Sequence, residues 1–229
     1  MGVPGSPRIA SWSDSHPLPH DLAAIVSDTW ADSNLSSGPR SARLHRGQAM
    51  NSPCLSAEQI SQVSGFVADY ISTQRKKALP NATPLGHNQL RSMEGFFPQE
   101  VLYGVRLLVL EGTRLENPPF YQMLRQMGLV NLPDFSTMAA VTFYDVVVSH
   151  QPFSEGLLFH ELVHVEQYRQ LGLPRFAELY VRGFLAGGGY DGIPLERNAY
   201  LLQDRFERDP EIWFSVADEV TAWIGEGRF

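Results

Sequence analysis

The sequence predicts an α+β fold, in which a small sheet packs against a predominantly helical region. Two segments, 105–110 and 139–150, are rich in β-branched and large apolar residues and have the composition of strands. From residue 154 onward, apolar residues recur at helical spacing. The first 55 residues are instead rich in Ser, Pro, Gly, Asp and Arg and offer too little apolar surface to fold. We therefore expect a disordered or loosely attached tail at 1–55, followed by one folded domain at 56–229.

The composition excludes several classes of protein. With 229 residues, 43% of them hydrophobic, the chain can bury the core of one domain. The formal net charge of -7 argues against nucleic acid or an anionic membrane as the main partner. The single cysteine, Cys54, excludes an internal disulfide framework and a metal site built on several thiolates. The sequence shows no apolar run that could span a membrane and no signal peptide, so a cytoplasmic location is the default expectation, with non-classical export left open.

An amphipathic helix is expected to open the folded domain. Ser56 and Gln59 have the form of a capping box, and apolar residues at helical spacing continue to the vicinity of Lys77, ahead of Pro80. After a turn-rich link comes the stretch 101–111, and we expect its second half, residues 105–110, to be a buried strand.

The second extended segment, 139–150, contains Tyr144 and Asp145 near its middle. These two residues are expected to form a hairpin turn, although they lack the glycine that such turns favour. An exposed edge of this segment is a candidate for binding an extended peptide by strand addition. In the alternative interpretation, the edge only completes the sheet.

Helices are expected to fill the rest of the chain. The first of them runs from about Ser154 to Gln170 and ends at Gly172, with Pro174 just beyond. The second runs from Pro174 to about Ala186, where a glycine-rich loop follows.

Two more helices are predicted near the C-terminal end. One begins at Pro194, because proline is favoured at the first position of a helix. The last has Asp209 as its N-cap and Pro210 at its start. Its predicted core face consists of Trp213, Val216, Val220 and Trp223.

The most informative stretch of the chain runs from Phe159 to Val165 and places His160 and His164 one helical turn apart. Side chains at positions i and i+4 of a helix project from the same face, so both imidazoles can bind one ion. Zinc accepts imidazole nitrogen, and catalytic zinc sites keep one coordination position open for water. Glu161 is turned about 100° from His160 around the helix axis. It is therefore the candidate general base for that water and not a ligand.

Zinc needs a third protein ligand besides the two histidines. A metzincin arrangement is excluded, because Gln167 and Gln170 occupy the positions of its glycine and its third histidine. Glu196 is the favoured candidate, since it lies near the start of a helix that can return antiparallel to the helix of His160 and His164. Asp191 in the glycine-rich loop and Glu178 on the intervening helix remain alternatives.

These residues resemble a known class of enzymes. A helix with the HExxH pattern, followed at a distance by a helix-borne glutamate, is similar to the gluzincin metallopeptidases. More closely, the segment 107–204 resembles uncharacterised bacterial zinc-peptidase domains that are often fused to toxins. The stretches that carry this resemblance are Asn117 to Tyr121, His160 to Arg169, Leu185 to Tyr190 and Ile193 to Glu196.

The resemblance implies a zincin-like fold, with Zn²⁺ bound by His160, His164 and Glu196 and with Glu161 as the general base. In many gluzincins an acidic residue one turn after the third ligand orients a histidine. This chain has Tyr200 at that position, so the resemblance leaves the partners of the histidines unassigned.

The activity expected from these residues is hydrolysis of a peptide or protein substrate by a zinc-activated water. Candidate donors to the developing oxyanion are Tyr190, Tyr200 and His150. Two alternatives remain open. One is a zinc-binding scaffold without turnover, and the other is an interaction module whose histidines are purely structural.

Overall fold

The computed structural model describes residues 55–229, which form helices on both sides of a small sheet. The helices of this part of the chain are α1 (Ala57–Ala78), α2 (His87–Met93), α3 (Gln99–Gly104), α4 (Tyr121–Gln126), α5 (Glu155–Gly187), α6 (Pro194–Arg208) and α7 (Val216–Gly225). The strands are β1 (Arg106–Val109), β2 (Ala140–Phe143) and β3 (Val146–Ser149). The predicted α+β class is confirmed. The predicted tail lies outside the described residues, apart from its last position.

The capping box predicts the start of α1 correctly. The Ser56 hydroxyl accepts a hydrogen bond from the Gln59 backbone N–H at 3.2 Å, and the Gln59 side chain accepts one from the Ser56 N–H at 2.8 Å. The helix then continues to Ala78, one residue beyond the predicted end.

The sheet has the strand order β1-β3-β2. β3 pairs in parallel with β1 and antiparallel with β2, so β2 and β3 form the predicted hairpin. Tyr144 in the turn has a φ of 65°, a left-handed conformation that a non-glycine residue seldom adopts. The strand predicted at 105–110 is confirmed as β1. The residues before it form α3, which follows Pro98 and buries Val101 and Leu102.

The free edge of β2 is not exposed, so the prediction of an exposed peptide-binding edge is wrong. All four residues of β2 are buried. The Thr142 carbonyl accepts a hydrogen bond from the Tyr168 hydroxyl of α5 at 3.4 Å. The Tyr168 side chain therefore covers the edge that an extended peptide would need.

α5 consists of two helical halves that meet at Gly172. The Ser154 hydroxyl caps the first half by accepting a hydrogen bond from the Leu157 N–H at 3.1 Å. Gly172 has φ 70° and ψ 157°, which no helix accommodates, and Pro174 begins the second half. The predicted break at this glycine is confirmed.

The C-terminal helices confirm one prediction and overturn another. α6 begins at Pro194 as predicted. α7, however, begins at Val216 and not at Pro210, because the Ser215 hydroxyl provides the cap by accepting from the Asp218 N–H. Trp213 therefore lies before the helix and is 73% exposed, so its predicted place on the core face is wrong.

The two faces of the sheet contact two different parts of the core. Val146 and Val148 of β3 pack with α1, α4 and the second half of α5. Val147 points to the opposite face and packs with α2, α3, α6 and the first half of α5. The first half of α5, which carries His160 and His164, therefore packs against one face of the sheet. Within residues 55–229, no helix is both long and apolar enough to cross a membrane.

Gly183 allows α6 to approach α5 closely. A Cβ atom on Gly183 would lie 2.5 Å from Cδ of Pro194. Alanine is ordinarily the better helix residue, but we expect Gly183→Ala to lower the free energy of unfolding by about 1–3 kcal/mol, as overpacked substitutions do. Gly65→Ala in α1 is the matched control, because a Cβ there would meet nothing within 4 Å. Denaturant unfolding of both variants tests the prediction, and equal stabilities would contradict it.

Candidate metal centre

Three donor side chains from α5 and α6 converge at the centre of the domain. His160 and His164 come from the first half of α5, and Glu196 comes from the first turn of α6. One ligand atom from each residue lies within 4.8 Å of the others. All three residues are at most 1% exposed.

The distances between the donor atoms match a metal site. The Nε2 atoms of His160 and His164 are 3.1 Å apart. Glu196 Oε2 lies 3.3 Å from Nε2 of His164 and 3.6 Å from Nε2 of His160. Ligand atoms about 2.0–2.1 Å from a tetrahedral zinc ion are about 3.3 Å from one another, so these separations suit one shared ion.

Two glutamines determine which ring nitrogen of each histidine faces this centre. Nδ1 of His160 lies 3.0 Å from the side-chain oxygen of Gln203, and Nδ1 of His164 lies 2.9 Å from that of Gln167. An amide oxygen can only accept, so each Nδ1–H donates and each Nε2 presents a lone pair to the centre. Two lone pairs at 3.1 Å repel each other unless a cation lies between them.

The charges and hydrogen bonds around His164 favour a positive charge at this centre. Burial lowers the pKa of His164, but the charges of Glu196 and Glu161 and hydrogen bonds to Glu196 and Gln167 outweigh burial and raise this pKa to about 9. Burial likewise raises the pKa of Glu196, but His164 and His160 lower it to about 2. The site therefore stabilises a cation strongly, whether that cation is a proton or a metal ion.

The carboxylate of Glu196 is only partly satisfied by the protein. Its Oε2 accepts a hydrogen bond from the Tyr190 hydroxyl at 2.6 Å. Its Oε1 is buried and has no hydrogen-bond partner among the described residues. An unsatisfied buried acceptor costs about 1–3 kcal/mol, and a cation bound by the carboxylate offsets that cost. The donor set of two imidazoles and one carboxylate is one that zinc accepts.

Glu161 lies beside the donor group and is not a member of it. Its side chain is 2% exposed, and its Oε2 accepts a hydrogen bond from the Thr142 hydroxyl of β2 at 2.5 Å. The sheet thus holds the carboxylate of the residue that follows His160, and its charge helps to raise the pKa of His164.

The alternative third ligands lie elsewhere. Glu178 forms ion pairs with Arg175 and Arg182 at 2.8 Å each, as expected of a solvated charge. Asp191 lies in a short 3-10 turn and is not part of the donor group. Of the three candidates, the structure brings only Glu196 to the histidines.

The three candidate oxyanion donors are placed differently. His150 uses both ring nitrogens, because Nε2 accepts from the Leu115 N–H at 3.0 Å and Nδ1 contacts the Met138 carbonyl. Tyr190 contacts Glu196, and the ring of Tyr200 lies 4.4 Å from that of His160. Tyr200 therefore remains the candidate at the site, since Tyr190 donates its O–H to Glu196 and His150 joins two loops.

Gln167, Gln203 and Thr142 contact the site residues but were not predicted as functional residues. Gln167 is three residues after His164 and Gln203 is seven after Glu196, so both lie on the correct helix faces, and this spacing was the available signal. No local signal connects Thr142 with Glu161.

The chain matches no protein-family model, no curated protein and no solved structure, so the residues of the site alone support the proposals that follow.

Proposed function

We propose that this protein is a zinc-dependent peptidase in which His160, His164 and Glu196 hold Zn²⁺ and Glu161 is the general base. One observation carries the proposal. Two imidazoles with inward-facing Nε2 lone pairs meet a buried carboxylate at separations of 3.1, 3.3 and 3.6 Å. The substrate class is a peptide or protein, because two histidines at i and i+4 of a helix with a glutamate after the first are the pattern of metalloproteases.

The residues around the site have distinct parts in the proposed reaction. A bound zinc ion supplies a Lewis acid that makes its water a nucleophile near neutral pH. The Glu161 carboxylate accepts the proton from the attacking water and later transfers it to the leaving amine. The Thr142 hydroxyl, at 2.5 Å, holds this carboxylate in one orientation. The Tyr200 hydroxyl is the candidate for stabilising the oxyanion, because the O–H of Tyr190 already donates to Glu196.

A zinc-binding scaffold without turnover is the second candidate function. The observation in its favour is burial, because His160, Glu161, His164 and Glu196 are at most 2% exposed. Hydrolysis requires a substrate to reach these side chains, so the peptidase must open before it acts. A scaffold needs no opening.

Metal removal tests the proposed function. We expect purified protein to contain about one zinc ion per chain and to cleave members of a peptide library, because the donor set is complete for a catalytic site. Dialysis against a chelator is expected to abolish cleavage, and added zinc to restore it. Mass spectrometry of the library detects the products, and atomic absorption measures the metal.

Two outcomes would contradict the peptidase proposal. Protein that contains zinc and cleaves nothing identifies a scaffold. Protein that takes up no zinc under any loading condition identifies the histidines as structural and rejects both zinc-dependent functions.

A further inference from the structure

We infer that Gln167 is a positioning residue that couples two of the proposed zinc ligands, His164 and Glu196. This inference rests on the proposed metal site. Gln167 touches neither the ion site nor a substrate, so any effect it has on metal binding must pass through the residues that it contacts.

The first contact of Gln167 fixes the orientation of His164. The Gln167 side-chain oxygen accepts the hydrogen bond from Nδ1–H of His164 at 2.9 Å. Because Nδ1 is occupied in this way, Nε2 of His164 keeps its lone pair toward Glu196 and His160. Both His164 and Gln167 are fully buried, so water offers no competing partner.

The other end of the same side chain holds the beginning of α6. The Gln167 amide nitrogen donates to the Leu195 carbonyl at 3.0 Å and to Oδ1 of Asn198 at 2.9 Å. These two residues lie on either side of Glu196 in the sequence. Both are fully buried, so the amide anchors the helical turn that presents the Glu196 carboxylate.

Only an amide can make all of these contacts. One acceptor is needed for His164, and two donors are needed for Leu195 and Asn198, which is the hydrogen-bonding capacity of a glutamine side chain. A glutamate in this place keeps the acceptor and loses both donors. A methionine has nearly the same length and loses every contact.

Gln203 shows how the role of Gln167 differs from simple orientation of a histidine. Its oxygen accepts from Nδ1 of His160, but its nitrogen donates to Glu207 at the exposed end of the network. Gln203 therefore orients one ligand, whereas Gln167 links one ligand to the backbone that carries another.

Zinc affinity of Gln167→Met, measured by competition with a chromophoric chelator, tests the inference. We expect the affinity to fall about 10–100-fold, the usual cost of losing a residue that orients a metal ligand. Gln170→Met is the matched control. Gln170 lies on the same helix and bonds to Glu166 and the Ala217 carbonyl, away from the donor group, so its loss is expected to leave zinc affinity unchanged.

A second variant separates the two ends of the amide. Gln167→Glu keeps an acceptor for His164 and is expected to bind zinc more tightly than Gln167→Met and less tightly than wild type. If Gln167→Glu equals wild type, the contacts with Leu195 and Asn198 contribute nothing and the coupling is rejected.

A measurement on the wild-type protein keeps the inference testable if the variants do not fold. Long-range ¹H–¹⁵N spectra of the zinc-loaded protein should show His164 protonated at Nδ1 and the Gln167 side-chain N–H groups protected from solvent exchange. Rapid exchange of these groups overturns the inference, as does wild-type zinc affinity in folded Gln167→Met. Wild-type protein that takes up no zinc instead overturns the proposed function, so the two failures are distinguishable.

Discussion

Glu161→Gln is expected to slow peptide hydrolysis strongly and to leave bound zinc unchanged. The amide cannot accept a proton from the attacking water, and loss of general acid–base catalysis costs about 10²–10⁴-fold in rate. Zinc should remain, because Glu161 is outside the three-residue donor group. Glutamine also has nearly the volume of glutamate, and its amide oxygen can still accept from the Thr142 hydroxyl. Cleavage of the peptide library and zinc content, measured on the same preparation, test both parts.

Glu178→Gln is the control for this variant. Glu178 lies on α5 as well, but its carboxylate pairs with surface arginines, so its substitution should preserve both activity and zinc. If Glu161→Gln cleaves as fast as the control, the general base is another group and the proposed mechanism is wrong. Loss of zinc in Glu161→Gln would instead make Glu161 a ligand.

Glu196→Ala is expected to weaken zinc binding by more than about 100-fold. Residues that merely orient a ligand already cost 10–100-fold when they are mutated, and Glu196 supplies a donor atom itself. The substitution leaves the two imidazoles in place, so binding through His160 and His164 alone should persist at low affinity. Titration against a chelator measures the affinity.

Asp191→Ala and Glu178→Ala are the matched controls for the third ligand. Both residues are acidic and were alternatives from the sequence, yet neither belongs to the donor group in the structure. We expect both variants to bind zinc as wild type does. A large loss in either variant, with wild-type affinity in Glu196→Ala, would assign the third ligand to that residue.

The parts of the fold that follow from local rules could be predicted from the sequence. The capping box at Ser56, the break at Gly172 and the start of α6 at Pro194 depend on hydrogen bonds and dihedral angles within a few residues. The short helix at 99–104 was not predicted, because Val and Leu suit a buried strand and a buried helix face alike and tertiary packing decides between them. Asp209 with Pro210 is a genuine helix-start signal, but Ser215 provides a competing cap for a helix whose Val216 and Val220 reach the core.

In the candidate site, too, the contacts within or between neighbouring helices could be predicted, and those that depend on tertiary packing could not. The pairing of His160 with His164 depends on helical periodicity, so the sequence predicts it, and the position of Glu196 followed from an antiparallel return of one helix. The contact between Thr142 and Glu161 joins a strand to a helix 19 residues later, and no periodicity encodes it. The covering of the β2 edge by Tyr168 depends on the same packing. Such contacts follow only from the assembled layers.

Burial of the donor group affects how long a bound ion would stay. A chelator cannot reach side chains that are at most 1% exposed, so an ion bound between α5 and α6 leaves only through a local opening of the structure. The residence time of the metal then depends on the frequency of that opening as well as on the strength of the coordination bonds. The same opening would admit a substrate, so metal exchange and substrate entry would share one motion.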